Sequence, residues 1–202
     1  MGQDPIPEFT TLRGPATMSS FPPQTISWSG YQKAYTAQSL NYELCVSLNL
    51  TETSVAGLTL RKSPTSCEET TIYIDVANEA ILVDRSMSSL YYQFNNMTEE
   101  GKFRLWHVNG KLQSLDLHIF VDNSIVEIFA NGIFCMTTRI YPTAEDANDL
   151  GYWVKEGTVE YSEMTIWDGL DKAWPERPEN SSVPLVWDSA VITDNGTLWA
   201  GN

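Results

Sequence analysis

Apolar and polar residues alternate along most of this chain. Leu115, Leu117, Ile119 and Val121 are interleaved with Asp116, His118 and Phe120. Period two marks a strand with one buried face. Asp122-Asn123-Ser124 interrupts the run with turn chemistry, and a second strand is predicted over 125–130. Asn131-Gly132 follows, a strong hairpin signal because both central residues of that turn need positive φ. A third strand is predicted over 133–141, ending at Pro142. Such a meander needs a second sheet to cover its apolar face.

The rest of the chain offers that sheet. Residues 40–50 alternate Leu40, Tyr42, Leu44, Val46, Leu48 and Leu50 with Asn41, Glu43, Cys45, Ser47 and Asn49, a long half-buried strand. Further strands are predicted over 56–61, 70–76, 80–84, 103–108, 152–155 and 157–167. Gly57 marks a bulge or a close approach. Only 143–150 has the composition for a turn of helix. Strands spaced by turn signals predict an all-β, two-sheet antiparallel β-sandwich of jelly-roll-like type with an extended C-terminal tail. Residues 10–23 hold Gly14-Pro15 and Pro22-Pro23 and read as a linker. Residues 1–9, MGQDPIPEF, read as a vector-derived leader and are set aside, which is compatible with excision from a longer protein. The predicted organisation is leader and linker over 1–20, a sandwich over 21–170, and a Trp/Pro-rich tail over 171–202 packed on it.

Composition narrows the partners. A hydrophobic share of 42% places the chain among globular proteins rather than disordered ones. A net charge of −14 argues against nucleic acid and anionic membrane surfaces, while a neutral sugar is indifferent to that field. No apolar run approaches the ~20 residues of a membrane helix. Three cysteines, with no Cys/His ligand spacing, predict no metal site and no cofactor. A Cys45–Cys67 pair would leave Cys135 as a small buried hydrophobe. Asn-x-Ser/Thr sequons at Asn49, Asn96, Asn180 and Asn195 favour a secreted glycoprotein.

Two segments carry a family resemblance. IFVDNSIVEIFANG, with Asp122, Ser124, Glu127 and Phe129, resembles a signature of the C-terminal β-sandwich of glycoside hydrolase family 32. ILVDRSMSSL, with Asp84-Arg85-Ser86, resembles the matching strand and loop of that domain. Glu68-Glu69-Thr70 upstream and TTRIYP, with Arg139, complete the likeness over about 39–167. This is the family of invertases, inulinases and fructosyltransferases, and the resemblance is to its fungal-type members. The resemblance implies a sandwich behind a five-bladed catalytic propeller. It also implies catalysis by an Asp in Asn-Asp-Pro and a Glu in Glu-Cys, with an Arg-Asp-Pro motif holding substrate. Asp4-Pro5 lacks the flanking residue, Arg-Asp-Pro is absent, and Glu43-Leu44-Cys45 is not Glu-Cys. No catalytic residue transfers. The expectation is a non-catalytic accessory module that stabilises a catalytic domain and mediates subunit or carbohydrate contacts. The alternative is a stand-alone lectin.

Asp122 is expected to cap its turn, and Glu127 to pair across the sheet with Arg85 or Arg139. Asp84-Arg85 reads as an ion pair or turn lock. His107 and His118 are the two histidines. Without a Gly-x-Ser-x-Gly elbow they suggest no triad, and His118 is expected on the solvated side of its strand. Sugars stack on flat apolar faces, so Trp106, Trp153, Trp187 with Asp188, and Trp199 are the candidate carbohydrate contacts.

Overall fold

The computed structural model describes residues 2–91 and 97–172. Contacts divide the chain into Met1–Asp171 and Lys172–Asn202, and the sandwich is the first of these. The predicted tail, with Trp187, Asp188 and Trp199, lies outside the described residues.

A 3₁₀ helix, Pro7–Arg13, leads into β1 (Thr17–Phe21), β2 (Gln24–Ile26), β3 (Gly30–Thr36), β4 (Asn41–Asn49) and β5 (Val55–Lys62). Then come β6 (Thr70–Asp75), β7 (Ala80–Asp84), β8 (Glu99–Lys102), and a small ribbon of β9 (His107–Val108) with β10 (Lys111–Leu112). The meander is β11 (Leu115–Asp122), β12 (Ile125–Ala130) and β13 (Phe134–Arg139). The chain closes with β14 (Asp149–Glu156), β15 (Val159–Tyr161) and β16 (Met164–Asp168). One sheet runs β1-β16-β4-β11-β12-β13, with β15 joining β4 to β2; the other runs β3-β14-β5-β6-β7-β8. The architecture is all-β, two large antiparallel sheets facing each other.

The predicted alternation sets the core. Tyr42, Leu44, Val46 and Leu48 of β4 are buried beside Leu117, Ile119 and Val121 of β11 and Val126 and Ile128 of β12. Facing them are Leu58 and Leu60 of β5, Ile72 and Ile74 of β6, and Val83 of β7, all in one continuous cluster. The Asn131-Gly132 turn forms as predicted, with φ of +49° and +64° and Ile133 N–H donating to the Ala130 carbonyl.

Several regions depart from the predicted pattern, among them β3, where no strand is predicted, and 157–167, which splits into β15 and β16. The leader and linker are not loose. Residues 7–13 form the 3₁₀ helix, and β1 pairs along its length with β16. Membership of an edge strand depends on its partner, and the Thr/Ser composition of β1 does not advertise one. Over 103–108 only His107 and Val108 lie in a strand; Phe103 and Leu105 are buried without a ladder. The apolar spacing there reports burial, not pairing. The paired strand is the preceding Glu-Glu-Gly-Lys of β8, a short charged edge of the kind that discourages further pairing. Residues 145–148 form a turn instead of helix, and β14 starts at Asp149. All three cysteines are free. Cys45 sits on β4 and Cys67 in the loop after β5 of the opposite sheet, and Cys135 is exposed rather than buried.

Gly57 is required by close approach. A Cβ there would lie 2.0 Å from the Ile72 carbonyl oxygen, on the backbone of the neighbouring strand. Its register partners are Trp153 and Tyr73, whose rings meet at 5.1 Å. Gly57→Ala is expected to destabilise by about 2 kcal/mol through overpacking, read as a lower urea midpoint with unchanged slope.

Candidate functional site

The outer face of the meander sheet carries an ion-paired cluster. On β4 the even-numbered residues point inward, so Glu43 points outward, yet it is only 1% exposed. The N-terminal segment covers it. Arg13 donates from Nε and Nη2 to the two Glu43 oxygens at 2.8 and 2.5 Å. Its guanidinium also lies 3.8 Å over the Trp167 ring. His118 of β11 donates from Nε2 to Glu43 Oε1. Phe9 packs edge-on against Phe120 at 5.5 Å, and Gln3 N–H donates to the Gly132 carbonyl at 2.8 Å. Residues 3–13 thus strap the outer face across three strands. Burial by itself would raise the Glu43 pKa, but the bonds from Arg13 and His118 and their charges outweigh it and hold the carboxyl below its ordinary value.

Beside the strap lies a pocket of about 290 Å³ lined by Asp4, Cys45, Asp116, His118 and Phe129 among others. Glu43, Cys45 and His118 bring a carboxylate oxygen, a thiol and an imidazole nitrogen within 4.8 Å of one another. That is a transition-metal donor set by type. Its members are otherwise engaged: both Glu43 oxygens and His118 Nε2 are hydrogen-bonded, and burial, then Glu43, pushes the Cys45 thiol up to about 12. The geometry therefore works as a clamp on the N-terminal segment.

A second cluster ties the two family-like segments together. Arg85, nearly buried, ion-pairs with Glu99 at 2.6 Å and donates to the carbonyls of Met97 and Arg139 at 3.1 and 2.9 Å. The bond to Arg139 joins the 81–90 segment to the 137–142 segment. Glu68, fully buried, accepts from Leu90 N–H, Thr143 N–H, Thr143 Oγ1 and Ala144 N–H at 2.5 to 2.9 Å. Desolvation pushes the Glu68 pKa up, and these four donors bring it to a net value below the ordinary range. The remaining buried carboxylates are similarly engaged: Asp149 by Thr36 and Lys33, and Asp168 by Tyr35 and the N–H groups of Gln38 and Ser39.

Several predicted roles change. Asp84 locks its turn by accepting from Ser86 N–H at 2.9 Å, but the Asp84-Arg85 ion pair is absent because Arg85 turns to Glu99. Asp122 accepts from the Asn123 side chain, not from a backbone N–H. Glu127 pairs with neither arginine. Its register partners are Phe120 and Thr137, and Arg139 reaches Ser124 at 3.5 Å instead. His118 is not freely solvated but is drawn onto Glu43.

Of the aromatic candidates, Trp106 is 58% exposed in the connection before β9. Trp153 lies on the outer face of the second sheet, in register with Tyr31 on one side and, across Gly57, with Tyr73 on the other. No ring contact links Trp106 with Trp153. Trp187, Asp188 and Trp199 lie outside the described residues, as do Asn96, Asn180 and Asn195. Asn49 is exposed at the end of β4. Sequence reading missed Arg13, Tyr31 and Tyr73, and assigned Glu43 only to the polar side of its strand. Their partners are 30 or more residues away, so no local pattern announces them.

Comparison with known proteins places the whole sandwich. Residues 8–168 match the family described as glycosyl hydrolases family 32 C terminal. Levanase from Bacillus subtilis (strain 168) is 30% identical over 200 residues, covering 98% of this chain but 28% of that protein. The match therefore includes most of the segment set aside as a leader. Among solved structures, Aspergillus kawachii beta-fructofuranosidase superposes with a TM-score of 0.81 at 27% identity, over 87% of this chain and 31% of that one. Fructosyltransferase from A. japonicus gives 0.77 at 27%, over 83% and 29%. The chain spans less than a third of the length of these relatives, which come from bacteria and fungi alike.

Proposed function

We propose, from the premise that this chain belongs to the C-terminal domain family of the family 32 glycosyl hydrolases, that it is the non-catalytic accessory module of a secreted enzyme acting on fructans or sucrose. Its role is to stabilise a catalytic domain and to mediate subunit or carbohydrate contacts. One observation carries this reading: the likeness covers 8–168 here and under a third of each relative. The strap supports it. A chain entering from a preceding domain would be held at Arg13 and Phe9 in one direction, so the clamp would set how that domain sits. The engagement of Glu43, Glu68, Asp149 and Asp168 by fixed donors supports the non-catalytic part, since retaining hydrolysis needs two free carboxyls roughly 5 Å apart. Exposed Asn49 is offered as a glycosylation site of the secreted protein.

The purified chain is expected to release no fructose from sucrose, inulin or levan, measured by product chromatography on protein with a cooperative thermal transition. Turnover that survives repurification would overturn the reading. A lectin is the second reading, favoured by exposed Trp106. Calorimetric titration with fructans, sucrose and monosaccharides separates the two: the accessory module alone binds none tightly, and a lectin binds one saturably.

A further inference from the structure

One buried cation of the sandwich forms no ion pair among the described residues. On β14 a single residue, Leu150, lies between Asp149 and Gly151, whose register partners on β5 are Lys62 and Thr59. Two residues, Leu60 and Arg61, occupy the same interval on β5. The extra residue makes a β-bulge, and Arg61 takes a φ of +50°. Strict alternation from the core residues Leu58 and Leu60 would send Arg61 to the outer face. Instead it is 7% exposed and lines a pocket with Leu40, Asn123, Ser124, Ile140, Tyr141 and Thr143.

This pocket has a volume of about 350 Å³. It brings together the β11–β12 turn and the segment after β13. Arg61 Nε and Nη1 are buried with no hydrogen-bond partner, as is Tyr42 Oη. No carboxylate forms an ion pair with Arg61 among the described residues. The acidic neighbour that interacts with it, Glu68, already has both oxygens on Leu90, Thr143 and Ala144. Buried guanidinium donors without acceptors are costly, and proteins rarely keep one without a partner.

We propose that this pocket is an oxyanion site and that its ligand is a carboxylate. A guanidinium fork matches the planar carboxylate edge. Asn123 and Ser124 supply side chains able to donate beside it, while the Thr143 hydroxyl is already given to Glu68. Leu40, Ile140 and Tyr141 form an apolar wall suited to the carbon that bears the carboxylate. A phosphate or sulfate dianion fits less well, because the wall is apolar and Arg61 is the single cation lining it. The chemistry is the same whether the carboxylate belongs to a free acid or to an Asp or Glu side chain of a polypeptide.

NMR on the intact chain tests this. Sodium acetate and N-acetyl-aspartate methylamide would each be titrated at constant ionic strength against sodium chloride, following Arg61 Nε–H and the amides of Asn123 and Thr143. At least one carboxylate is expected to shift these signals saturably, with a dissociation constant on the order of millimolar, and chloride is not. Tighter binding by the blocked aspartate assigns a polypeptide side chain as the source; equal or tighter binding by acetate assigns a free acid. Arg61→Met is expected to abolish the carboxylate response of Asn123 and Thr143, with a melting temperature no lower than that of the parent protein, as for an unpaired charge replaced by an apolar side chain. The proposal is overturned if neither carboxylate saturates, if Arg61→Met responds like the parent, or if phosphate or sulfate saturates where carboxylates do not. The wild-type titration decides the matter even if the variant fails to fold.

Discussion

Replacing Glu68 with alanine lowers the stability of the sandwich by about 4 kcal/mol, the largest effect expected of any single side chain discussed above. The carboxylate is fully buried and receives three backbone N–H groups and one hydroxyl. Alanine leaves Leu90, Thr143 and Ala144 without that acceptor. Each abandoned buried donor costs about 1–3 kcal/mol, less where water enters the space. For a domain of this size the melting temperature should fall by roughly 8–16 °C. Glu68→Gln should lose less, since one carbonyl oxygen still accepts. The pH dependence has a definite sign. The folded-state pKa of Glu68 is depressed, because four donors outweigh the desolvation that would raise it. Its contribution is therefore present above the ordinary carboxylate pKa and fades as pH falls through the folded value. Urea unfolding of the parent should weaken steeply below about pH 4, and Glu68→Gln should flatten that slope. An unchanged slope would refute the role given to Glu68.

Arg13→Ala should cost about 3 kcal/mol, because it leaves Glu43 buried with His118 as its remaining side-chain partner. It also removes the guanidinium from the face of Trp167. The loss should be local in character. Amide exchange should accelerate over 3–16 first, and limited proteolysis should cut there while the sandwich persists. Glu43→Gln together with Arg13→Ala should cost less than the sum of the two, since the pair acts as a unit. Glu43 is depressed for the same kind of reason as Glu68, with Arg13 and His118 overcoming its burial, so the Glu43 contribution to the clamp is lost as pH falls through its folded value. A cost under about 1 kcal/mol, the range of an exposed ion pair, would mean that the strap is not held by this cluster.

The clamp also illustrates what was legible beforehand. β4 and the meander appear in the sequence because each alternates within itself, and a period of two needs no knowledge of the partner. The Asn131-Gly132 turn was equally plain, because its backbone demands those residues. Glu43, His118 and Arg13 were all visible as residues but not as a cluster. Register sets Glu43 opposite Phe120 and diagonal to His118, and only the fold returns residues 3–13 to that face. Glu127 shows the converse. Its charge invited pairing with Arg85 or Arg139, but the register set Phe120 and Thr137 opposite it.

By itself the sequence determined the class of fold, the strands that alternate cleanly, the tight turns and the family signature, since these rest on local stereochemistry or on motifs read in order. Tertiary structure decided the rest: that a supposed leader is a strap, that β1 and β8 are strands, that Arg85 joins the two signature segments, and that Arg61 is turned into a pocket. Each depends on which chain segment lies alongside, and on a bulge that reverses the side a residue faces. A one-residue change of register moves a side chain from one face to the other, and nothing local to Arg61 encodes that step.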